Sequence, residues 1–412
     1  MAEQVASLFD QVEFDNTIKK KHMRSYHPVD PNQLGSSDVI RLIINNQNTH
    51  TLPSESYIKL EGVVTKEDGT VTAHTSYVNN AFAYLISELK WELGGVELVN
   101  IKNCGLASTL KALLCFSPDD AVRHSNSGWL HPLVKMSTAF KEDNKFSVCL
   151  PLKFLIPAFE DYTWPVINVK QELVIIRSRT DNDGFMVLHD AAGAAKEKIK
   201  VKLTNVTWRM PHVEYDDSTQ AAILANIRND KSISMAYRTW NLYEHPNMPA
   251  STPLTWNLKS ASHLQKPRYV IFFTQTARIN NTNSTSSEFD HNNVHTVRLY
   301  LNSDYYPYEN QNCNFGTKAI ADLYENYVQF QASYYGRESR PLLTRAQFLT
   351  HAPMFVIDCS KQPESLKTGS VDCRLEVNAS GQIPDFTTGF CMVVNDNLAT
   401  YSPLTGAVHK FN

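Results

Sequence analysis

Three separate stretches of this 412-residue chain alternate apolar and charged residues with a period of two. In SELKWEL, Leu89, Trp91 and Leu93 alternate with Glu88, Lys90 and Glu92. In KIKVKL, Ile199, Val201 and Leu203 alternate with Lys198, Lys200 and Lys202. In VDCRLEV, Val371, Cys373, Leu375 and Val377 alternate with Asp372, Arg374 and Glu376. Successive side chains of a strand point to opposite faces, so this pattern predicts strands with one buried and one wetted face. Such strands belong to antiparallel sheets, because strands of parallel sheets are covered on both faces and read as continuous apolar runs. Further strands are expected at 39–44, 57–64, 146–156, 167–177, 269–274, 354–358 and 388–394, with turns at Asp68-Gly69, Gly94-Gly95 and Asp183-Gly184. Helical spacing marks 105–116, 216–230 and 317–330 as the main helix candidates.

The element order repeats. SELKWELGGVEL leads through Asn103-Cys104 into the first helix, and TVRLYLNSDYYPY leads through Asn312-Cys313 into the third. Each is followed by an apolar strand (FSVCLPLKFL; APMFVIDC), an alternating one (NVKQELVIIRS; SVDCRLEVNAS) and a closing strand (KIKVKLTNVTW; GFCMVVND). The expectation is an all-β protein with a few short helices, built as two tandem eight-stranded jelly rolls. An N-terminal arm is expected over 1–36, the first jelly roll over 37–215, and the second over 216–412, starting with a linker helix at 216–230.

Several functional classes find no support in the residues. HExxH, zinc-spaced Cys/His clusters, GxSxG, Walker and GxGxxG motifs are all missing. The acid pairs Asp119-Asp120, Glu160-Asp161 and Asp216-Asp217 are sequence neighbours that point to opposite faces of a strand or cap a helix, as Asp216-Asp217 and Asp119-Asp120 would, rather than form a catalytic dyad across a cleft. No catalytic residue, cofactor or metal site is expected, and the chain reads as non-enzymatic. His22, His27, His50, His131 and His212 are assigned to loops. Seven scattered cysteines without a CxxC pair read as reduced thiols. MAEQVASLFDQVEFDN carries acids where a secretory leader would carry basic and apolar regions, and no window is long and apolar enough for a membrane span, so a soluble chain is expected. The net charge of −3 demands no polyanionic partner.

Four features remain. KKKHMR places Lys19, Lys20, Lys21 and Arg24 on the arm, as a solvated segment, a DNA-facing patch or a nuclear-import signal. Val5, Leu8, Phe9 and Val12 have the spacing of a short amphipathic helix. The 277–293 stretch, rich in Asn, Ser and Thr, is expected as a mobile or tower-like surface loop. Tyr305, Tyr306, Tyr334 and Tyr335 either cap the sandwich edge or, in the assembly implied by the resemblance that follows, are contacts between subunits.

NNAFAYLISELKWELGGVELVNIKNCGLASTLKALL and VDCRLEVNASGQIPDFTTGFCMVVNDNLATYSPLTG resemble the double jelly-roll major capsid proteins of double-stranded DNA viruses, most closely those of Polinton/Maverick-like elements and relatives integrated in animal genomes. KPRYVIFFTQTAR, RLYLNSDYYPYE and INVKQELVIIRS add to the resemblance, which runs in patches from about residue 55 onward. It implies upright jelly rolls and a homotrimer with six of them, forming a pseudo-hexagonal tile of an icosahedral shell. The implied partners are neighbouring capsomers, penton and minor capsid proteins, and packaged DNA at the inner face. The implied location is the virion capsid, assembled in the host nucleus or cytoplasm. A tandem-sandwich carbohydrate-binding protein is the alternative from another class, although no DxDxDG-type run is present to hold Ca²⁺.

Overall fold

A computed structural model describes residues 17–45, 50–70, 75–130, 144–187, 198–258, 267–302, 304–309, 311–361 and 372–411. Its first half has eight principal strands: β1 (Ile18–Tyr26), β2 (Val39–Ile44), β3 (Tyr57–Lys66), β4 (Ile86–Leu93), β5 (Val96–Lys102), β6 (Lys145–Pro151), β7 (Gln171–Arg177) and β8 (Ile199–Tyr215). The second half has eight more: β9 (Ile233–His245), β10 (Leu254–Asn257), β11 (Pro267–Thr276), β12 (Val294–Leu301), β13 (Asp304–Tyr306), β14 (Phe355–Asp358), β15 (Cys373–Ala379) and β16 (Thr387–Tyr401).

The two halves have one topology. In the first, the sheets run β1-β8-β3-β6 and β2-β7-β4-β5. In the second they run β9-β16-β11-β14 and β10-β15-β12-β13, the same orders shifted by eight strands. All these pairings are antiparallel, as double-sheet jelly rolls require. Short strands decorate this plan, among them His50–Thr51 beside β8 and Val408–Phe411 beside β16. Among the described residues no strand of one half pairs with a strand of the other.

Local chemistry explains the main features. In β4, Leu89, Trp91 and Leu93 are buried while Glu88, Lys90 and Glu92 are half-exposed, so the period-two reading holds residue by residue. The hairpin from β4 to β5 turns through Gly94 and Gly95 at φ +57° and +85°, with Leu93 opposite Val96. Two successive positive φ values define the tight turn that matches strand twist, and glycine adopts them without steric cost. At the equivalent hairpin Leu301 lies opposite Asp304, with Asn302 at φ +56°.

Helix α1 (Cys104–Cys115) follows β5, and α3 (Ala321–Tyr335) follows β13, so each half spends the same connection on a helix. The Asn-Cys pairs of the two halves are not equivalent: Cys104 opens α1, whereas Cys313 lies in the loop before α3. Gly105 lets α1 approach closely, since a Cβ there would fall 2.4 Å from the Tyr84 ring. Helix α2 (Asp217–Arg228) joins the halves, capped by the Asp216 carboxylate accepting from the Thr219 N–H at 3.2 Å. Ser117 and Asp120 likewise form a capping box. All seven cysteines are free thiols, six buried and Cys149 partly so.

Two expectations are corrected. The arm expected over 1–36 contains β1, so the KKKHMR segment is the first strand of the first jelly roll. The stretch expected as a mobile or tower-like loop is packed instead. Thr282, Thr285, Ser286 and Phe289 are buried, and the Arg278 guanidinium grips Asp290 with two 2.8 Å bonds. Its tip docks on the first half: Asn280 N–H donates to Asp183 Oδ1, Val187 N–H to the Thr282 carbonyl, and Tyr84 O–H to the Ser286 carbonyl. Polar residues can be buried in this way because partners on the other jelly roll satisfy them. The helical spacing over Val5–Val12 lies outside the described residues.

Candidate assembly surfaces

Strand β1 pairs with β8 from Ile18–Tyr215 to Tyr26–Trp208, which sets Lys19, Lys20, Lys21 and Arg24 on an exposed strand. The three lysines meet carboxylates: Lys19 lies 3.7 Å from Asp217, Lys20 4.0 Å from Glu214 and Lys21 2.5 Å from Glu55. Arg24 Nε donates to His22 Nε2 at 3.0 Å. The patch is therefore largely balanced by acids of its own fold. Charged residues on such a strand also discourage stray edge-to-edge pairing.

Beneath it sits a histidine cluster that the loop assignment missed. His22 is in β1, His50 in the strand His50–Thr51 and His212 in β8, while His131 lies outside the described residues. His212 is buried, accepts or donates at 2.9 Å with the Tyr26 hydroxyl and stacks on His22 at 5.7 Å. Burial, reinforced by the Arg24 cation and by the neighbouring His22, pushes its pKa down to about 4. His124, stacked on Phe116, falls to about 4 mainly through burial as well. Below the ordinary value near 6.5 the unfolded chain takes up protons that the folded chain refuses, so folding stability falls as pH drops from about 6.5 to 4. Melting temperatures measured across this window should decline, and His212→Gln should flatten part of the decline. An identical pH slope in that variant would refute the assignment.

The four tyrosines divide. Tyr305 is 40% exposed and forms an aromatic pair with Tyr308, itself 69% exposed, at 6.1 Å, while Tyr306 is buried. Tyr334, like Tyr306, is buried inside the chain, which corrects the reading of both as contacts between subunits. The Tyr334 ring lies 3.6 Å under the Arg238 guanidinium, and its hydroxyl accepts from Trp240 Nε1 at 3.1 Å. Tyr335 donates to Glu160 Oε1 at 2.6 Å, across the junction between the halves.

That junction is a network. Arg238 of β9 is held by Asp161 of the first half through Nε, Nη2 and its backbone N–H. Lys111 of α1 lies 2.7 Å from Glu160 with its side chain only 5% exposed. Burial would raise the Glu160 pKa, but Lys111 and Tyr335 outweigh it and hold the carboxyl below its usual range. Tyr327 and Gln331 of α3 donate to the carbonyls of Leu113 and Phe116. One continuous hydrophobic core spans both halves.

Sequence reasoning missed three exposed aromatic side chains, Trp164 (72%), Tyr308 (69%) and Phe386 (75%, φ +61°). Trp164 carried a signal, since DYTWPV puts a tryptophan beside proline outside any periodic pattern. Large aromatic groups of this kind anchor protein contacts when covered. Among the described residues no group of three or more His, Cys, Asp or Glu could hold a metal ion, and no helix is long and apolar enough to cross a membrane.

The model of a double jelly roll-like domain matches residues 75–399. The chain belongs to that family. Among solved structures of this double jelly roll fold, the Sputnik virophage structure aligns with a TM-score of 0.61 at 10% identity, covering 98% of this chain and 91% of that one. The PBCV-1 virus capsid model aligns at 0.59 and 12%, covering 98% and 99%. The mavirus major capsid protein aligns at 0.58 and 10%, covering 98% and 92%. At these identities the likeness is one of fold. No curated protein sequence matches this double jelly roll chain.

Proposed function

We propose that this double jelly roll protein is a viral major capsid protein, with a structural, non-enzymatic role in a shell enclosing DNA. The observation that carries the reading is one sheet order used twice in a chain whose halves share a core. Two near-equivalent β units per chain let three chains present six, which tiles a plane as a pseudo-hexagon. Likeness of fold to the Sputnik, PBCV-1 and mavirus structures supports it. In this reading homotrimers meet neighbouring capsomers and penton or minor capsid proteins, with Tyr305, Tyr308 and Trp164 as exposed anchors. Light scattering on the purified protein tests it: a mass near 140 kDa (3 × 46.7 kDa) is expected, and a stable monomer of 46.7 kDa would contradict it.

Packaged DNA would be contacted non-specifically. Three full lysine–phosphate contacts change the slope of log affinity against log salt by about 2.7. Because Glu55, Glu214 and Asp217 already face Lys21, Lys20 and Lys19, alanine at the three lysines should change that slope by clearly less. Salt titrations of DNA binding by the variant read this directly, and a change of the full size would show that DNA displaces the carboxylates.

A further inference from the structure

Beside the junction network lies a cavity of about 360 Å³ lined by both halves, including Lys111, His124, Lys153 and Glu160 from the first and Tyr335 and Arg337 from the second. This volume lies within the range of small-molecule sites, roughly 300–1,000 Å³. Its charges are not evenly matched. Each lining carboxylate is engaged: Glu55 by Lys21, Asp120 by Ser117 and Arg123, and Glu160 by Lys111 and Tyr335. Lys153 and Arg337 are exposed cations with no carboxylate partner among the described residues. Arg337 is also held in place, its guanidinium 4.6 Å over the Tyr335 ring. His124 Nδ1 is buried without a hydrogen-bond partner.

We propose that this cavity binds a phosphate group of a small phosphorylated ligand, clamped between Lys153 of the first jelly roll and Arg337 of the second. A planar guanidinium offers paired donors and an ammonium a mobile point charge, a combination suited to phosphate oxygens. A ligand held from both sides favours the joined state of the halves, so binding reads out as thermal stability.

The test is thermal unfolding of the full chain in pyrophosphate, against sodium chloride at equal ionic strength. The melting temperature should rise by roughly 3 °C at a hundredfold excess over the dissociation constant. Lys153→Gln with Arg337→Gln should melt like the parent without ligand and show no rise. Lys198→Gln, at an exposed lysine elsewhere, should keep the full rise and controls for general charge loss. No rise in the parent, or an equal rise in the double variant, overturns the proposal. If the double variant melts differently without ligand, pyrophosphate binding by isothermal titration decides: retained binding overturns the proposal, and lost binding with heat and affinity intact in Lys198→Gln supports it. Deleting residues 1–16 addresses the acid-rich segment around Asp10, Glu13 and Asp15 as a rival occupant. Pyrophosphate binding that appears only after the deletion would assign the cavity to that segment and overturn the proposal.

Discussion

Replacing Asp181 by Ala should destabilise the first jelly roll by about 3–5 kcal/mol, the usual cost of stranding one member of a buried ion pair. Arg177 and Asp181 are each 1% exposed at the side chain and lie 2.9 Å apart. Asp181 also accepts from the Val201 N–H at 2.8 Å, and Arg177 donates to the Leu85 carbonyl, so the pair ties β7, β8 and the segment before β4 together. Alanine leaves a guanidinium and a backbone N–H buried without their acceptor, and neither can reach water. Chemical denaturation would measure the loss. Arg177→Met combined with Asp181→Leu should recover most of it, because apolar replacement of both partners removes the stranded charge. A loss below 1 kcal/mol in Asp181→Ala would contradict this account of the site.

The second large effect is expected at the junction. Asp161→Ala should cost toward the lower end of about 3–5 kcal/mol, because Arg238 keeps some solvent contact, 22% at its side chain. The more telling readout is cooperativity. Arg238 touches Asp161 on one side and the Tyr334 ring and carbonyl on the other, so it couples β9, α3 and the first half. With the pair intact the halves should melt in one calorimetric transition; without it, two transitions should separate. A single transition at an unchanged temperature in Asp161→Ala would mean that the α1–α3 contacts and the docked 277–293 segment carry the coupling instead.

How much of this was legible beforehand depended on solvent. Strands with one wet face announce themselves, so β4, β8, β12 and β15 were readable, and the order of elements in the two halves followed from them. Strand β1 was not readable, because IKKKHMRSY is polar on both faces and no period of two survives. The 277–293 segment misled for the opposite reason: its Asn, Ser and Thr residues look solvated, yet the Asn280 side chain bonds to Asn182 and its backbone N–H to Asp183, nearly a hundred positions away. Tyr334 looked like a surface residue in QASYYGRES, yet its ring is covered by an arginine 96 positions earlier. Pairings between distant residues leave no local signature. The cavity between the halves is of the same kind, since Lys153 and Arg337 come to line one cavity only when the two jelly rolls meet.

In the proposed capsid role duplication serves assembly, with two equivalent β units per chain making six in a trimer. Electron microscopy of the purified oligomer tests it most directly. Class averages should show a closed ring of six near-equal lobes, each the size of one jelly roll. Particles of two lobes only, matching an isolated chain at every concentration tried, would contradict the claim.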